Sequence, residues 1–410
     1  MTMDSFIRKN YRPAKNEIVA HFRLKKAEKL SFEECLDSVA RESSIGTWTE
    51  LVTLEKNIAE KLGPKIFDLN ESAGSAKIAY PLDLFEKGNL PQFWSGICGN
   101  IYGMSDVQAI RLDDVDFPAE YQKSFKGPKY GIGGVRKTLK VKERPLVGTI
   151  VKPKVGLDEK GHAKCAYEAW LGGCDIVKDD ENLTSMKFNN FKKRISLTLK
   201  MLEKAEKETG EKKAYMPNVT SETFEMLKRA KYVEDCGGTY AMIDIIAAGL
   251  SSLQTLRNQD FDLIIHAHRA GHAAFTRNKE HGISMLVLAK LARLAGVDQL
   301  HVGAVFGKME GGESEVREIV SAITEKGPLK NVFPVCSGGL YPSKVPPLMK
   351  ALGNDIIIQA GGGISGHPQG TIKGSIAMRQ AVDATLKEIS LQEYGLKHKE
   401  LGIAMQKWGT

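Results

Sequence analysis

The run Gly172-Gly173-Cys174-Asp175-Ile176-Val177-Lys178-Asp179-Asp180-Glu181 is a short apolar stretch that ends in a lysine and three carboxylates. Side chains two apart on an extended backbone share a face, so Lys178 and Asp180 point the same way. Glu181 follows where the strand gives way to a loop. Carboxylate oxygens in this arrangement suit a hard divalent cation. An amine is a poor ligand for such a cation unless it is chemically changed. Addition of CO2 gives a carbamate, which is an anionic oxygen ligand. The plainer alternative is a lysine that neutralises a carboxylate cluster at a strand end.

Further chemistry-bearing residues recur at the ends of similar runs. From about residue 146 onward, eight apolar runs alternate with helical patterns: 146–152, 174–178, 214–218, 240–246, 263–268, 299–305, 332–337 and 355–360. Helical stretches such as 184–208 and 279–295 lie between them. Apolar strands separated by helices imply a parallel sheet covered on both faces. Eight such units in about 250 residues is the size of a closed (β/α)8 barrel. An open doubly wound sheet is the rival, but no Gly-x-Gly-x-x-Gly follows the first strand. In a barrel, catalytic groups project from the C-terminal strand ends. These ends carry Lys152 and Lys154; Lys178, Asp180 and Glu181; Asn218; His266, His268, Arg269 and His272; His301, then a loop with Lys308; Ser337-Gly338-Gly339; and Gly361-Gly362-Gly363. The fourth run, ending at Ala247-Ala248-Gly249, offers nothing charged.

Lysines, an arginine and histidines form an anion receptor. The glycine-rich ends of the last two strands are where barrels commonly hold phosphate. Arg269 and His301 suggest a second phosphate position. A substrate with two phosphates, stretched across the mouth over a divalent metal, fits that layout. The metal would polarise a carbonyl, and Lys152 with a lowered pKa would move protons. Glycines flank Lys308, which suits a closing lid.

The first part of the chain reads differently. Residues 17–24 alternate like a strand, and Ser31 with Glu34 marks a helix start over 31–41. Strand character returns at 47–54, 65–69 and 76–84. This order suggests a compact α+β domain over 1–130, ahead of a barrel domain over 131–410. Glycine and charge over 120–145 mark a linker, and Lys137–Lys142 reads as a strand or linker with one wet face. A net charge of +8 is spread over helix-like segments, with no aromatic–basic interleaving of the kind that binds nucleic acid. No apolar run is long enough to span a membrane, and none of the six cysteines forms a CxxC pair. A cytoplasmic protein with reduced thiols is expected.

These motifs resemble the large subunit of ribulose-1,5-bisphosphate carboxylase/oxygenase (RuBisCO), and the resemblance covers nearly the whole chain. It rests on Thr149–Lys154, Gly172–Glu181, His266-Ala267-His268-Arg269-Ala270-Gly271-His272, Gly303–Gly311, Ser337-Gly338-Gly339 and Gly361-Gly362-Gly363. In the N-terminal part it rests on Glu42–Trp48 and Gly99–Gly103. Pro217–Thr220 and Gly338–Pro342 resemble the archaeal, form III branch, which is not built around small subunits. The chain departs from plant-type members in its short segment between Gly311 and Ser337 and in Ile150, where those enzymes have threonine.

The resemblance implies a ferredoxin-like N-terminal domain, a barrel, and carboxylation of ribulose 1,5-bisphosphate to 3-phosphoglycerate with an oxygenase side reaction using O2. It implies a place in nucleotide ribose salvage. It makes Lys178 the CO2-carbamylated ligand of Mg2+ and the base for enolisation, with Asp180 and Glu181 completing the metal site. Lys152 handles protons with support from Lys154, and His268 transfers a proton or binds a hydroxyl. Arg269 and His301 hold one phosphate; Thr47, Trp48, Gly361 and Gly362 hold the other. Ser337, beside Gly338, contacts a substrate hydroxyl. Lys308 closes over CO2 with Glu42 as its ion-pair partner, and Asn100 reaches metal and substrate. Glu42 through Trp48 would complete the site of a neighbouring subunit, so an obligate homodimer is implied. A RuBisCO-like enolase or isomerase of sulfur salvage, and a non-catalytic homologue, are the alternatives.

Overall fold

A computed structural model describes residues 5–306 and 312–409. Lys308 lies outside the described residues. Contacts divide the chain into two units. The first runs to Gly127 and includes Gly271–Ala295 and Gly327–Leu329; the second holds Pro128–Ala270, Gly296–Lys326 and Lys330 onward.

The first unit is built on a five-stranded sheet. In chain order its strands are β1 (Glu17–Lys26), β2 (Lys65–Asn70), β3 (Ser75–Pro81) and β4 (Val107–Asp116), joined later by a short strand, Gly282–Ile283. The order across the sheet is Gly282–Ile283, β4, β1, β3, β2, antiparallel except at the added strand. The helix Phe32–Glu42 begins as its sequence demands. Ser31 caps it by accepting from the Glu34 N–H, and the Glu34 carboxylate accepts in return from the Ser31 N–H. Its buried stripe is Phe32, Cys35, Leu36, Val39 and Ala40.

Residues 47–54 are not a strand, contrary to the sequence expectation; they run through bends and turns. Two of their β-forming residues are left uncovered: Trp48 is 92% exposed and Val52 fully exposed. Strand propensity without a burying face does not hold a strand. The segment Lys137–Lys142 is likewise not a strand. It holds the end of the helix Gly131–Leu139, closed by Lys140 at φ 56°.

The second unit is the (β/α)8 barrel. Its strands are β5 (Leu146–Ile150), β6 (Ile176–Lys178), β7 (Ala214–Met216), β8 (Tyr240–Asp244), β9 (Ile264–His268), β10 (Gln299–His301), β11 (Phe333–Ser337) and β12 (Ile357–Gln359). All eight fall within the runs read from sequence. Neighbours pair in parallel around the ring. An Asn218↔Met242 bridge between the chain after β7 and β8 closes it.

The first residues of seven strands, Leu146, Ile176, Ala214, Tyr240, Ile264, Phe333 and Ile357, form one apolar cluster with Val135 and Leu139. The helix Gly131–Leu139 therefore closes the N-terminal end. With period two, the next positions on that face are Gly148, Lys178, Met216, Met242, His266, His301, Val335 and Gln359. Two further along stand Ile150, Asp180, Asn218, Asp244, His268, Gly303, Ser337 and Gly361. The interior thus passes from apolar to polar along the strands, and this gradient brings the functional groups together at the C-terminal end.

Candidate active site

Lys178 ends β6 and is buried, at 1% exposure. Its Nζ donates to the Asp179 carbonyl at 2.8 Å and lies 3.4 Å from Glu181 Oε2. Burial pulls the amine below the ordinary lysine range, against the upward pull of Glu181, Asp180 and Asp179. A buried amine biased toward its neutral form is the nucleophile that CO2 addition requires.

Asp180 accepts from Lys152 Nζ at 2.8 Å and from Asn182 Nδ2 at 2.9 Å. Glu181 lies 3.9 Å from Lys154 Nζ and 3.7 Å from His268 Nε2. Burial raises both carboxyls, but their cationic neighbours and hydrogen bonds hold them below the usual carboxylate range. Lys178, Asp180, Glu181, Lys152 and Lys154 therefore form one cluster.

Asp179, between the clustered residues, faces away from them. It accepts from Arg194 Nε at 3.1 Å, Tyr215 Oη at 2.6 Å and the Asn218 N–H at 3.0 Å. Burial raises its carboxyl, yet Arg194, His162 and Tyr215 hold it well below the usual range. It is a fully paired structural anion. Asn218 donates to the Glu181 carbonyl at 3.0 Å and so ties the strand ends together.

On the opposite strands three histidines stack edge to face. His301 lies 4.9 Å from His266 and 4.7 Å from His268 between ring centroids. His301 Nδ1 is 2.7 Å from Ser337 Oγ, and its Nε2 is 2.9 Å from His266 Nε2. Arg269 is buried, and burial lowers its guanidinium to about 10, so an anion beside it would be favourable. Gly303 makes room for it: a Cβ there would sit 2.8 Å from Arg269 Nη2, and the residue has φ 96°.

The glycine clusters divide by role. Gly338 and Gly339 have φ 111° and 72°, which side chains resist. A Cβ at Gly363 would collide with the Leu340 carbonyl at 2.0 Å, so that glycine serves packing. A Cβ at Gly362 would meet nothing within 4 Å, and one at Gly361 would meet Lys152 Cε at 3.1 Å and Ile150 Cδ1 at 3.6 Å. Those two keep backbone open beside Lys152.

Asp244, the last residue of β8, corrects the expectation that the fourth strand end carries no charge. Its Oδ1 is buried without a hydrogen bond and lies 3.6 Å from His268 Nδ1. The signal was present: an aspartate interrupts the run over 240–246, and the strand stops there rather than at its glycine. His272 belongs to the first unit, where its Nδ1 is 3.0 Å from Thr276 Oγ1.

In the first unit Asn100 Nδ2 donates to Glu42 Oε1 at 2.9 Å. Glu42, Thr47 and Trp48 line a cleft of about 320 Å³ with Arg41 and Met104.

The donor chemistry suits a hard cation only after modification. Asp180 and Glu181 supply two anionic oxygen ligands, and among the described residues no group of three or more His, Cys, Asp or Glu could hold a metal. A carbamate on Lys178 would add a third anionic oxygen group beside them.

The fold and site define a two-domain (β/α)8-barrel enzyme with a lysine–carboxylate centre at its mouth. The chain belongs to the ribulose bisphosphate carboxylase large-chain family: the catalytic-domain model matches residues 131–408 and the N-terminal-domain model residues 5–121. It is 51% identical to the ribulose bisphosphate carboxylase of Methanocaldococcus jannaschii, covering 98% of this chain and 99% of that one. It is 46% identical to that of Pyrococcus furiosus, covering 98% and 97%. Among solved structures, the octameric RuBisCO of Pyrococcus horikoshii in complex with sulfate superposes with a TM-score of 0.95 at 44% identity, covering 98% and 96%. The dimeric archaeal RuBisCO of Hyperthermus butylicus gives 0.92 at 44% identity, covering 98% of each chain.

Proposed function

We propose that this chain is a ribulose 1,5-bisphosphate carboxylase activated by CO2 on Lys178. The observation that carries the reading is a buried amine 3.4 Å from Glu181, clustered with Asp180 at a barrel mouth. CO2 addition forms an N–C bond and releases one proton, leaving an anion. Carbamylated Lys178, Asp180 and Glu181 would then hold Mg2+, which supplies Lewis-acid polarisation of the substrate carbonyl.

The chain's own residues do the rest. Lys152, whose Nζ lies 2.8 Å from Asp180 at the barrel mouth, would be placed to move protons at the reacting carbons, with Lys154 in the same cluster. His268, wedged between Glu181 and Asp244, binds a substrate hydroxyl or moves its proton. Arg269 holds one phosphate, without a ring N–H from His301, whose two nitrogens are both engaged, and the open backbone of Gly361 and Gly362 receives the other. Ser337, ahead of Gly338, contacts a hydroxyl. Lys308 is assigned to the closing segment.

Glu42, Thr47, Trp48 and Asn100 are assigned to a partner subunit's site in a homodimer without small subunits. A tryptophan 92% exposed on a cleft edge marks an interaction surface. Solved relatives are dimeric and octameric. Among the described residues no helix is long and apolar enough to cross a membrane.

The test is anaerobic incubation with Mg2+, radiolabelled bicarbonate and ribulose 1,5-bisphosphate. The expected result is acid-stable 3-phosphoglycerate that disappears without Mg2+. Bisphosphate enolisation with no label fixed would replace this reading with an enolase or isomerase.

A further inference from the structure

His301 has both ring nitrogens engaged, and the contacts continue inward. From the mouth they run Ser337 Oγ to His301 Nδ1 at 2.7 Å, His301 Nε2 to His266 Nε2 at 2.9 Å, and His266 Nδ1 to Gln299 Oε1 at 2.9 Å. Gln299 Nε2 points the other way, 3.5 Å from Tyr240 Oη. Gln299, His266 and His301 are all buried. Burial lowers His266 to about 3 and puts His301 well below the ordinary histidine range. Both rings are therefore neutral, and each carries one N–H.

One end of a neutral chain decides the rest. A carboxamide oxygen only accepts, so the His266 proton lies on Nδ1 and its Nε2 is bare. The bare nitrogen can only accept, so the His301 proton lies on Nε2. His301 Nδ1 is then bare and accepts the Ser337 hydroxyl proton. The Ser337 lone pairs are left for the mouth.

We propose that Gln299 and His266 are positioning residues that hold His301 as its Nε2–H tautomer and thereby make Ser337 an acceptor for a substrate hydroxyl. This rests on the carboxylase reading for the identity of the substrate, but the tautomer itself does not. A hydroxyl at that position is welcomed, and a carbonyl or ether oxygen is refused, because two lone pairs would face each other. The roles of His266 and Gln299 follow from this polarity rather than from contact with the substrate. Tyr240 contributes by keeping the carboxamide nitrogen away from His266.

The experiment is 15N spectroscopy of the histidine-labelled, intact protein, with His301 and His266 resonances assigned through His301→Asn and His266→Asn. The expected spectrum shows His301 protonated at Nε2 and His266 at Nδ1. His301 protonated at Nδ1, or on both nitrogens, overturns the proposal.

Kinetics give a second readout. Gln299→Met keeps the volume but removes the acceptor, so mixed tautomers at His301 and a roughly fivefold rise in KM for ribulose 1,5-bisphosphate are expected, with kcat changed less. An unchanged tautomer and KM in Gln299→Met overturns the positioning role. Should Gln299→Met not fold, the spectrum of the unsubstituted protein decides. A protein with the expected tautomers that does not turn over ribulose 1,5-bisphosphate sustains the relay and overturns the carboxylase reading.

Discussion

At the N-terminal end of the barrel, the buried carboxylates Asp175 and Asp298 are saturated with partners; at the C-terminal end Asp179 is too, but other buried charges are not. Asp175, just before β6, takes both Arg144 guanidinium nitrogens at 2.6 and 2.7 Å and the Val147 N–H at 2.8 Å. Asp298, just before β10, accepts from the backbone N–H groups of Tyr130 at 2.6 Å, Gly131 at 3.0 Å and Ile265 at 2.9 Å, and from Arg257. These groups stitch strand starts to the chain around them. At the other end Lys178 makes one good hydrogen bond, Asp244 Oδ1 makes none, and Arg269 is lowered by burial. Buried charge that is fully met serves the fold. Buried charge left short of partners is held ready for a ligand.

Breaking each end should therefore damage a different property. The largest effect is expected from Lys178→Ala. It removes the buried amine 3.4 Å from Glu181, so label fixation should fall by at least about a thousandfold. Stability should be unchanged or higher, because an under-compensated buried amine is lost. Activity within tenfold of the parent would remove Lys178 from the centre.

Arg257→Met should do the opposite. It strands Asp298 with three backbone donors but no cation, and about 3–5 kcal/mol of stability should be lost. Urea unfolding followed by circular dichroism measures the loss, and turnover per folded molecule should not change. A stability loss below about 1 kcal/mol would mean that the backbone donors alone satisfy Asp298.

Sequence legibility follows the same division. The eight barrel strands were readable because each is a short apolar run ending in polar or glycine residues. Period two then carried the polar ends to one mouth. Lys178, Asp180, His268 and Ser337 were visible as chemistry for that reason. Asp244 was hidden inside an otherwise apolar run, and Gln299 looked like one polar residue at a strand start.

In the first unit less was legible. β4 escaped because Arg111, Asp113, Asp114 and Asp116 break its apolar pattern, and each of the three aspartates has a partner far away in sequence. Arg23 pairs with Asp113, and Lys290 with Asp114. Residues 47–54 misled in the other direction, since β-forming side chains there are exposed rather than packed. Glu42 and Asn100 are 58 residues apart, and only the family resemblance, not local pattern, pointed to both.

The smallest effect is a pH dependence at the saturated end. Burial raises the Asp175 carboxyl, but Arg144, Arg379 and the Val147 N–H outweigh it and hold it below its ordinary value of 3.8. A folded-state value below the unfolded one means that the unfolded chain binds the proton first as pH falls. The stabilisation from ionised Asp175 is therefore complete above the ordinary value and is lost as pH drops through the folded one. Asp175→Asn keeps the shape and removes the titration. Other carboxylates titrate in both proteins, so they cancel in the difference. The variant should be less stable than the parent at about pH 7, with the gap in urea midpoint narrowing by about pH 3. A gap of the same size at both values would show that Asp175 acts through shape and hydrogen bonding, not through its charge.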